Sequence, residues 1–156
     1  MTNDTNTGKI VSINISNRKG IPKTNVDSVK LIENWGIEND AHAGDWHRQV
    51  SLLAIESIIK IQNLGLNVRP GDFAENITTE HVNILQLKVG DKFVIGESEL
   101  EVTQIGKECH TRCEIYNTTG DCIMPKEGIF ARVLKGGIIK VGDRIQIYTS
   151  TKSSNH

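Results

Sequence analysis

The chain has 156 residues, which is the length of about one domain. Its 18 Lys and Arg residues against 19 Asp and Glu residues give a formal charge of −1 at pH 7, so the basic excess of a general nucleic-acid-binding protein is missing. A composition with 37% hydrophobic and 24% charged residues is typical of a globular protein, and no apolar run approaches the roughly 18 residues of a membrane-spanning helix.

One domain is expected over residues 8–149, because no linker or low-complexity stretch interrupts them. Residues 1–7 and 150–156 are rich in Asn, Thr and Ser and are expected to be disordered tails. The N-terminus has no apolar stretch of the signal-peptide kind, so the three cysteines are expected to be free thiols in a cytoplasmic protein.

Alternation of apolar and polar residues predicts mostly β-structure. In the first such segment, residues 9–16, Val11, Ile13 and Ile15 fall on one face, and the two serines and Asn14 fall on the other. Further strands are predicted over Val26–Ile32, Gln49–Leu53 and Leu100–Ile105.

One helix is predicted over Ala54–Leu64. Ile55, Ile58 and Ile59 recur there near helical spacing, and Gly65 follows as a C-terminal stop. Many strands at short spacing with one clear helix indicate a mainly β fold, a barrel or sandwich with one or a few short helices. The regular strand–helix alternation of a doubly wound α/β fold is missing.

A short pattern occurs twice. Leu87–Ile95 reads LKVGDKFVI and Ile139–Ile147 reads IKVGDRIQI, 52 residues later. Glycine tolerates a positive φ, and an aspartate can accept hydrogen bonds from nearby backbone amides. Each copy is therefore predicted to be a Gly-Asp turn that begins a strand.

All three cysteines lie in one segment, GKECHTRCEIYNTTGDC, which spans residues 106–122. Cys109 stands nearest to cations, with Lys107, His110 and Arg112 within three positions. Nearby cations favour the thiolate, which is the reactive form of cysteine. One hypothesis is therefore that Cys109 is a catalytic or sulfur-carrying thiol, with Cys113 as an auxiliary thiol.

Two other interpretations of this segment stay open. The three cysteines and His110 could form a Cys₃His metal site, because the three residues between Cys109 and Cys113 fit the spacings of structural zinc sites. The thiols could also be inert packing residues. That interpretation suits Cys122 best, because no cation stands within two positions of it.

Two more segments are polar and adjoin predicted strands. The segment DAHAGDWHRQ supplies the candidate ligand-binding residues Asp40, His42, His47 and Arg48. The segment PGDFAENITTE supplies Asp72, Glu75 and Asn76. The guanidinium group of Arg48 suits paired hydrogen bonds to a phosphate or carboxylate. Because the loops of a barrel gather at its mouths, we expect three loops to converge on one cleft, namely Asp40–Arg48, Gly71–Asn76 and Lys107–Cys113.

Five ordered motifs together resemble one family. GIENDAHAGDWHRQVSLL, GDFAENITTE, LKVGDKFVIG, LEVTQIGKECH and EGIFARVLKGG are similar to the MOSC domain, the module at the C-terminus of molybdenum cofactor sulfurases. The resemblance extends from about Gly8 to Ile147 and is to the short, stand-alone bacterial members. It implies a MOSC-type β-barrel.

The resemblance also implies a carrier function of the sulfurtransferase type, without a pyridoxal phosphate of its own. A family cysteine accepts sulfur as a persulfide from a pyridoxal-phosphate-dependent cysteine desulfurase and passes it to a metal–sulfur centre. Thr103 and Gln104 lead to Cys109 here, so the role falls on Cys109, which could also ligate molybdenum. The implied cofactor is the molybdenum cofactor (molybdopterin), and the implied partners are molybdopterin-biosynthesis proteins or molybdoenzymes.

A second hypothesis is a non-catalytic binding module for the molybdenum cofactor or for an oxyanion. It requires cations that converge on the ligand. The candidates are Arg48, Lys107, Arg112 and Arg132.

Overall fold

Alternating segments pair edge to edge into a closed barrel in the computed structural model, which describes residues 6–17, 23–73, 75–106 and 127–148. The strands in these ranges are β1 (Thr7–Ile15), β2 (Thr24–Val26), β3 (Ser28–Ile32), β4 (Gly36–Ile37), β5 (Val50–Ala54), β6 (Ile77–Glu80), β7 (Lys92–Ile95), β8 (Ser98–Ile105), β9 (Ile129–Lys135), β10 (Gly137–Lys140) and β11 (Arg144–Tyr148). The helix α1 spans Ile55–Gln62, and a short 3-10 helix spans Ile84–Gln86.

The described part of the barrel has seven strands in the order β11, β7, β8, β9, β5, β6 and β1, and pairing of β1 with β11 closes it. All of these pairs are antiparallel except β5 with β6. Every barrel strand contributes apolar side chains to one buried cluster. The mainly β, barrel-type fold predicted from the sequence is confirmed.

The strand β1 departs from the predicted alternation. Where β1 pairs with β6, a β-bulge between Ile10 and Ser12 shifts the register, and Ile10 and Ile13 become the fully buried apolar residues of the strand. Ile15 packs against the same core cluster as Ile13, as predicted, but Val11 is only partly buried and lies outside that cluster, so its placement was wrong. The extra residue of the bulge is the physical reason, because it reverses which side chains point inward.

The predicted strand Val26–Ile32 is two strands. The chain breaks at Asp27, and β2 pairs with β1 while β3 pairs with β10 and β4. The strands β10, β3 and β4 form a separate three-stranded sheet. The strand β4 leads directly into residues 38–49, which connect β4 to β5 and contain the whole polar segment DAHAGDWHRQ.

The helix α1 covers the outside of the barrel at β5 and confirms the predicted helix. Ile58 and Ile61 pack with Leu53 and Phe130 in a second apolar cluster, while Ile59 is largely exposed. Because α1 covers its outer face, β5 is buried on both faces, which explains the unbroken burial of all five of its residues. Neither of the helices just named is long and apolar enough to cross a membrane.

The two copies of the repeated pattern form the same turn. Gly90 and Gly142 have φ values of 98° and 96°, where glycine is favoured. Asp91 Oδ2 accepts a hydrogen bond from the amide three residues earlier at 2.9 Å, and Asp143 Oδ2 does the same at 2.8 Å. The strands that follow, β7 and β11, pair with each other. The predicted Gly-Asp turns are confirmed.

Candidate functional site

The loop of residues 38–49 contacts two distant parts of the barrel. Near its start, Asp40 accepts a hydrogen bond from the backbone amide of Ser16, just past the end of β1. At its end, Arg48 and His47 contact Gln104, in the last part of β8. The loop therefore spans the barrel rim from one strand end to another.

Arg48 is held in a fixed position at the end of β8. Its Nε donates to Gln104 Oε1 at 3.1 Å. The guanidinium carbon lies 5.3 Å from the ring centre of Phe130 and 5.9 Å from that of Trp46, both within the range of cation–π attraction. Gln104 is the sole hydrogen-bond partner of Arg48 among the described residues. No described residue therefore accepts a hydrogen bond from the two Nη groups of Arg48.

Gln104 joins this loop to the next segment of the chain. Its Oε1 lies 2.9 Å from His47 Nε2, and because an amide oxygen only accepts, His47 Nε2 carries a proton here. Gln104 Nε2 donates to the carbonyl of Gly106 at 2.8 Å. The Thr103 hydroxyl donates to the carbonyl of His47. Arg48 and His47 are thus tied to the last residues before position 107.

Gly106 and Gly128 mark where residues 107–126 leave and rejoin the barrel. Gly106 N–H donates to the Gly128 carbonyl at 2.6 Å, so the described residues that flank this segment lie next to each other. The candidate residues Lys107, Cys109, His110, Arg112 and Cys113, together with Cys122, lie outside the described residues. Their assigned roles stay predictions.

A groove of about 440 Å³ lies on the outer side of β8 and β9, beside the loop. Its lining includes Asn34, Trp46, His47 and Arg132. Arg132, predicted as a ligand-binding cation, pairs with Glu101 at 2.8 Å and is thereby partly neutralised. The groove places an aromatic ring and polar side chains next to Arg48.

Asp40 forms an ion pair with Lys23, and both side chains are fully buried. Lys23 Nζ lies 2.9 Å from Asp40 Oδ1. Burial by itself raises the pKa of Asp40, but the hydrogen bond and charge of Lys23, with the amides of Ser16 and His42, outweigh it and lower the pKa below its usual value. The two charges are tolerated in the interior because each is paired and hydrogen-bonded.

Glu75 is a buried carboxyl group with one oxygen unpaired. Its Oε2 accepts hydrogen bonds from Gly71 N–H at 2.8 Å and from the Thr78 hydroxyl at 2.7 Å. Its Oε1 is buried and has no partner among the described residues. Burial raises the pKa of Glu75, and the two hydrogen bonds lower it by less. The group therefore stays protonated at pH values where an exposed glutamic acid ionises.

Asn76 and Asn14 fasten the second predicted loop to the barrel. Asn76 Oδ1 accepts from the Ser51 amide at 3.0 Å, and Asn76 Nδ2 donates to the Asn14 carbonyl at 3.1 Å. Asn14 Nδ2 donates in turn to the Glu75 carbonyl at 3.1 Å. These contacts link the start of β6 to β5 and β1.

Gly71, in the second predicted loop, also approaches Lys23. Gly71 has a φ of +97°, and a Cβ there would lie 3.3 Å from Asn14 Cγ and 3.4 Å from the Lys23 carbonyl oxygen. Asp72, predicted to bind ligand, accepts a hydrogen bond from Arg69 N–H at 2.8 Å and closes the turn. Two of the three predicted segments thus meet at the end of β1, and the third begins next to the contact between Arg48 and Gln104. That all three share a cleft stays a prediction.

Lys23 and Asn14 are the site residues that sequence reasoning missed. Lys23 follows Pro22 in a segment with turn signals and no periodic pattern, so nothing nearby marks it as buried. Asn14 was predicted only to lie on the face opposite the apolar residues, and Asn25 and Gly71 cover it there. The partners that bury both residues are distant in sequence, so a local signal is absent.

No group of three or more His, Cys, Asp or Glu residues is arranged to hold a metal ion within residues 6–17, 23–73, 75–106 and 127–148.

Comparison with known proteins identifies one family. A profile of the MOSC domain matches residues 39–146. The YuaD protein from Bacillus subtilis has a similar structure, with a TM-score of 0.76 and 19% identity over 92% of this chain and 96% of that chain. YiiM from Geobacillus stearothermophilus has a TM-score of 0.66 and 23% identity, over 90% of this chain and 75% of that chain. YiiM from Escherichia coli has a TM-score of 0.63 and 19% identity, over 90% of this chain and 70% of that chain. At these identities the likeness concerns the fold. No curated protein matches the chain.

Asp40→Asn is expected to lower the free energy of unfolding by about 3–5 kcal/mol, because it leaves Lys23 buried without an opposite charge. Chemical denaturation measures this change. The matched control is Lys23→Met with Asp40→Asn, which removes both charges and is expected to cost much less. A loss below about 1 kcal/mol for Asp40→Asn alone, typical of an exposed pair, contradicts the account.

Glu75→Gln is expected to gain stability over the wild type as pH rises. Because the pKa of Glu75 is raised in the folded state, the protonated carboxyl group contributes fully to the stability of the wild type below pH 4.5, the ordinary pKa of a glutamic acid. This contribution is lost as the pH rises through the pKa of Glu75 in the folded state. Free energies of unfolding below pH 4.5 and at neutral pH give the difference. The exposed Glu97→Gln is the control. If the free energies of unfolding of Glu75→Gln and the wild type differ by the same amount at both pH values, the buried-carboxyl argument is wrong.

Proposed function

The chain belongs to the MOSC domain family, and on that premise we propose that it is a sulfur carrier that takes up sulfur as a persulfide on Cys109 and delivers it to a metal–sulfur centre. The observation that carries the proposal is Arg48. It is a cation fixed at the end of β8, with Nη groups that no described residue occupies. Residue 107 begins the cysteine-bearing segment directly beyond that strand end.

Covalent geometry limits how far Cys109 can lie from the end of β8, where Arg48 is held. Cys109 follows Gly106 by three residues, so their Cα atoms are separated by at most ~11 Å. Gly106 is itself hydrogen-bonded to Gln104, the partner of Arg48. A guanidinium group stabilises an anionic sulfur or oxygen by charge-assisted hydrogen bonds. The position of Arg48 therefore supports stabilisation of a thiolate or persulfide on this segment.

The transfer is balanced without a further oxidant. The Cys109 thiolate attacks the terminal sulfur of a cysteine persulfide on a pyridoxal-phosphate-dependent desulfurase. The S–S bond of the donor breaks, its cysteine leaves as a thiolate with the electron pair, and a new S–S bond forms on Cys109. Release of the carried sulfur as sulfide takes two electrons from a thiol reductant. Lys107, His110 and Arg112 flank Cys109 in sequence, and cations near a thiol favour the thiolate.

One observation favours the second candidate, a binding module for the molybdenum cofactor or an oxyanion. The groove beside Arg48 has a volume of about 440 Å³, within the range of small-molecule sites. Trp46, His47 and Arg132 fit a ligand with a planar ring and an anionic group, and the molybdenum cofactor has both. When bound, that cofactor would supply a molybdenum centre that a Cys109 thiolate could ligate.

Incubation with a cysteine desulfurase and cysteine is expected to add one sulfur atom to Cys109, as measured by mass spectrometry of the intact chain and its peptides. Cys109→Ser should abolish the adduct, while Cys113→Ser and Cys122→Ser should retain it. Loading that survives Cys109→Ser and disappears in Cys113→Ser overturns the assignment and gives the role to Cys113.

Arg48→Ala separates the two candidate functions when molybdate binding is measured by calorimetry beside the persulfide assay. Removal of a charge-assisted hydrogen bond of ~1.5–3 kcal/mol should weaken molybdate binding roughly ten- to a hundredfold. Arg144→Ala, an equal charge change on β11, serves as the control. If no cysteine accepts sulfur and molybdate binding still depends on Arg48, the chain is a binding module.

A further inference from the structure

The side-chain amide of Gln104 has one orientation that satisfies its neighbours, and this orientation determines which nitrogen of His47 carries a proton. Arg48 Nε can only donate and the Gly106 carbonyl can only accept, so the amide oxygen lies towards Arg48 and the amide nitrogen towards Gly106. His47 Nε2 is 2.9 Å from the same amide oxygen and therefore has to donate to it. In the neutral ring the lone pair is then on Nδ1.

The contacts that hold His47 leave Nδ1 without a hydrogen-bond partner among the described residues. The imidazole ring stands edge-on to the ring of Trp46, with the ring centres 5.8 Å apart and the planes at 69°. The Thr103 hydroxyl donates to the backbone carbonyl of His47. The side chain is exposed and lines the groove of about 440 Å³ beside β8. His47 thus gives this groove an oriented hydrogen-bond acceptor.

Two carboxylates in the same groove have unused acceptor oxygens. Asp45 is exposed and has no hydrogen-bond or ion-pair partner among the described residues. Arg132 donates from Nε and Nη2 to one and the same oxygen of Glu101, Oε1, at 2.8 Å each, so no described residue donates to Glu101 Oε2. Two carboxylates against one guanidinium group leave the groove with an excess of negative charge, which attracts cations.

We propose that Gln104 is a positioning residue that holds His47 Nδ1 as a hydrogen-bond acceptor, and that this groove binds a small organic ammonium ion. An ammonium group has three N–H donors and one positive charge, which match a neutral imidazole nitrogen and two carboxylates. An anion would meet both carboxylates, whereas an ammonium ion meets them without breaking the pair of Arg132 with Glu101. The inference goes beyond the proposed function, because Arg48, the cation of that function, is not among the described residues that line the groove.

A metal ion is the competing ligand for a histidine held in this way. A metal-ligating histidine commonly donates its other ring N–H to a carbonyl or carboxylate oxygen, as His47 donates to Gln104. A stable metal site needs further ligands, and the part of the chain that the structure describes contains no group of three or more His, Cys, Asp or Glu residues arranged for one. An ammonium ion needs only separate acceptors.

Nitrogen-15 NMR of the full chain at mildly alkaline pH, where histidine rings are ordinarily neutral, tests the state of the ring. Long-range proton–nitrogen spectra distinguish protonated from unprotonated ring nitrogens, and a His47→Asn spectrum identifies the His47 signals among the five histidines. The expected result is a protonated Nε2 and an unprotonated Nδ1. A protonated Nδ1 overturns the inference.

Three variants test the part played by Gln104. Gln104→Met removes the acceptor, and the His47 Nε2–H signal is expected to disappear through exchange with water. Gln104→Glu keeps an acceptor oxygen and is expected to keep the signal. Thr103→Val removes the other hydrogen bond to residue 47 and is expected to keep it too. Loss of the signal in Gln104→Glu, or its persistence in Gln104→Met, overturns the positioning role.

Benzylammonium and benzoate, which share a ring and differ in charge, test the ligand class. Benzylammonium is expected to shift the His47 Nδ1 signal and to bind more tightly than benzoate. Asp45→Asn is expected to weaken its binding by up to about fivefold, as for an exposed ion pair. Asp27→Asn, an equal charge change at an exposed residue outside the groove lining, should not weaken it.

Three outcomes overturn the ammonium assignment. They are the absence of a His47 shift with benzylammonium, tighter binding of benzoate, and stoichiometric binding of Zn²⁺ at His47 Nδ1. Molybdate binding that depends on Arg48 and persulfide loading of Cys109 are scored separately, so the proposed function and this inference can fail independently.

Discussion

Two opposite charges with no exposure to solvent hold the loop of residues 38–49 onto the barrel. Removing Lys23 and Asp40 from water is unfavourable, and the pair is stable only because each charged atom finds partners. Asp40 accepts from Lys23 and from the amides of Ser16 and His42, and Lys23 donates to three side chains. The start of this polar loop is thus fixed by directional bonds to the end of β1.

The other end of the loop is fixed by cation–π contacts and a hydrogen bond of Arg48. The guanidinium group of Arg48 lies over the rings of Phe130 and Trp46 and donates to Gln104, at the point where the chain leaves β8. With both ends held, the loop presents a cation and a histidine ring with little freedom to rearrange. Such preorganisation strengthens binding of an anion, because the conformational cost is met during folding.

Much of the architecture could be predicted from the sequence, because it follows from local patterns. Apolar patterning predicted β1, β5 and β8, helical spacing predicted α1, and turn chemistry predicted the paired turns at Gly90 and Gly142 that begin β7 and β11. The barrel strands β6 and β9 were not among the predicted strands. The bulge in β1 could not be predicted, since it depends on how β1 divides its edges among β2, β6 and β11. The sequence assigned the polar residues of the first predicted strand to one face but carried no signal that contacts with distant residues bury Ser12, Asn14 and Ser16.

The candidate site was predictable only as a set of polar loops. Arg48 was identified from the chemistry of its side chain, and its neighbour Gln104 lies 56 residues away. The burial of Lys23 and Glu75 has no local signal, since both are buried by segments that the fold brings together. Side-chain chemistry can be assigned from the sequence, whereas burial, tautomer and partner depend on contacts across the barrel.

The central claim is that this loop is preorganised by its buried ion pair before any ligand binds. Amide hydrogen exchange of the free protein tests it at Ala41 and His42, whose N–H groups donate to the Ser16 carbonyl and to Asp40. The account predicts exchange as slow as that of the barrel strands β1 and β5. Exchange of both amides at the rate of an unprotected loop, with protection gained only when an anion is added, would contradict it.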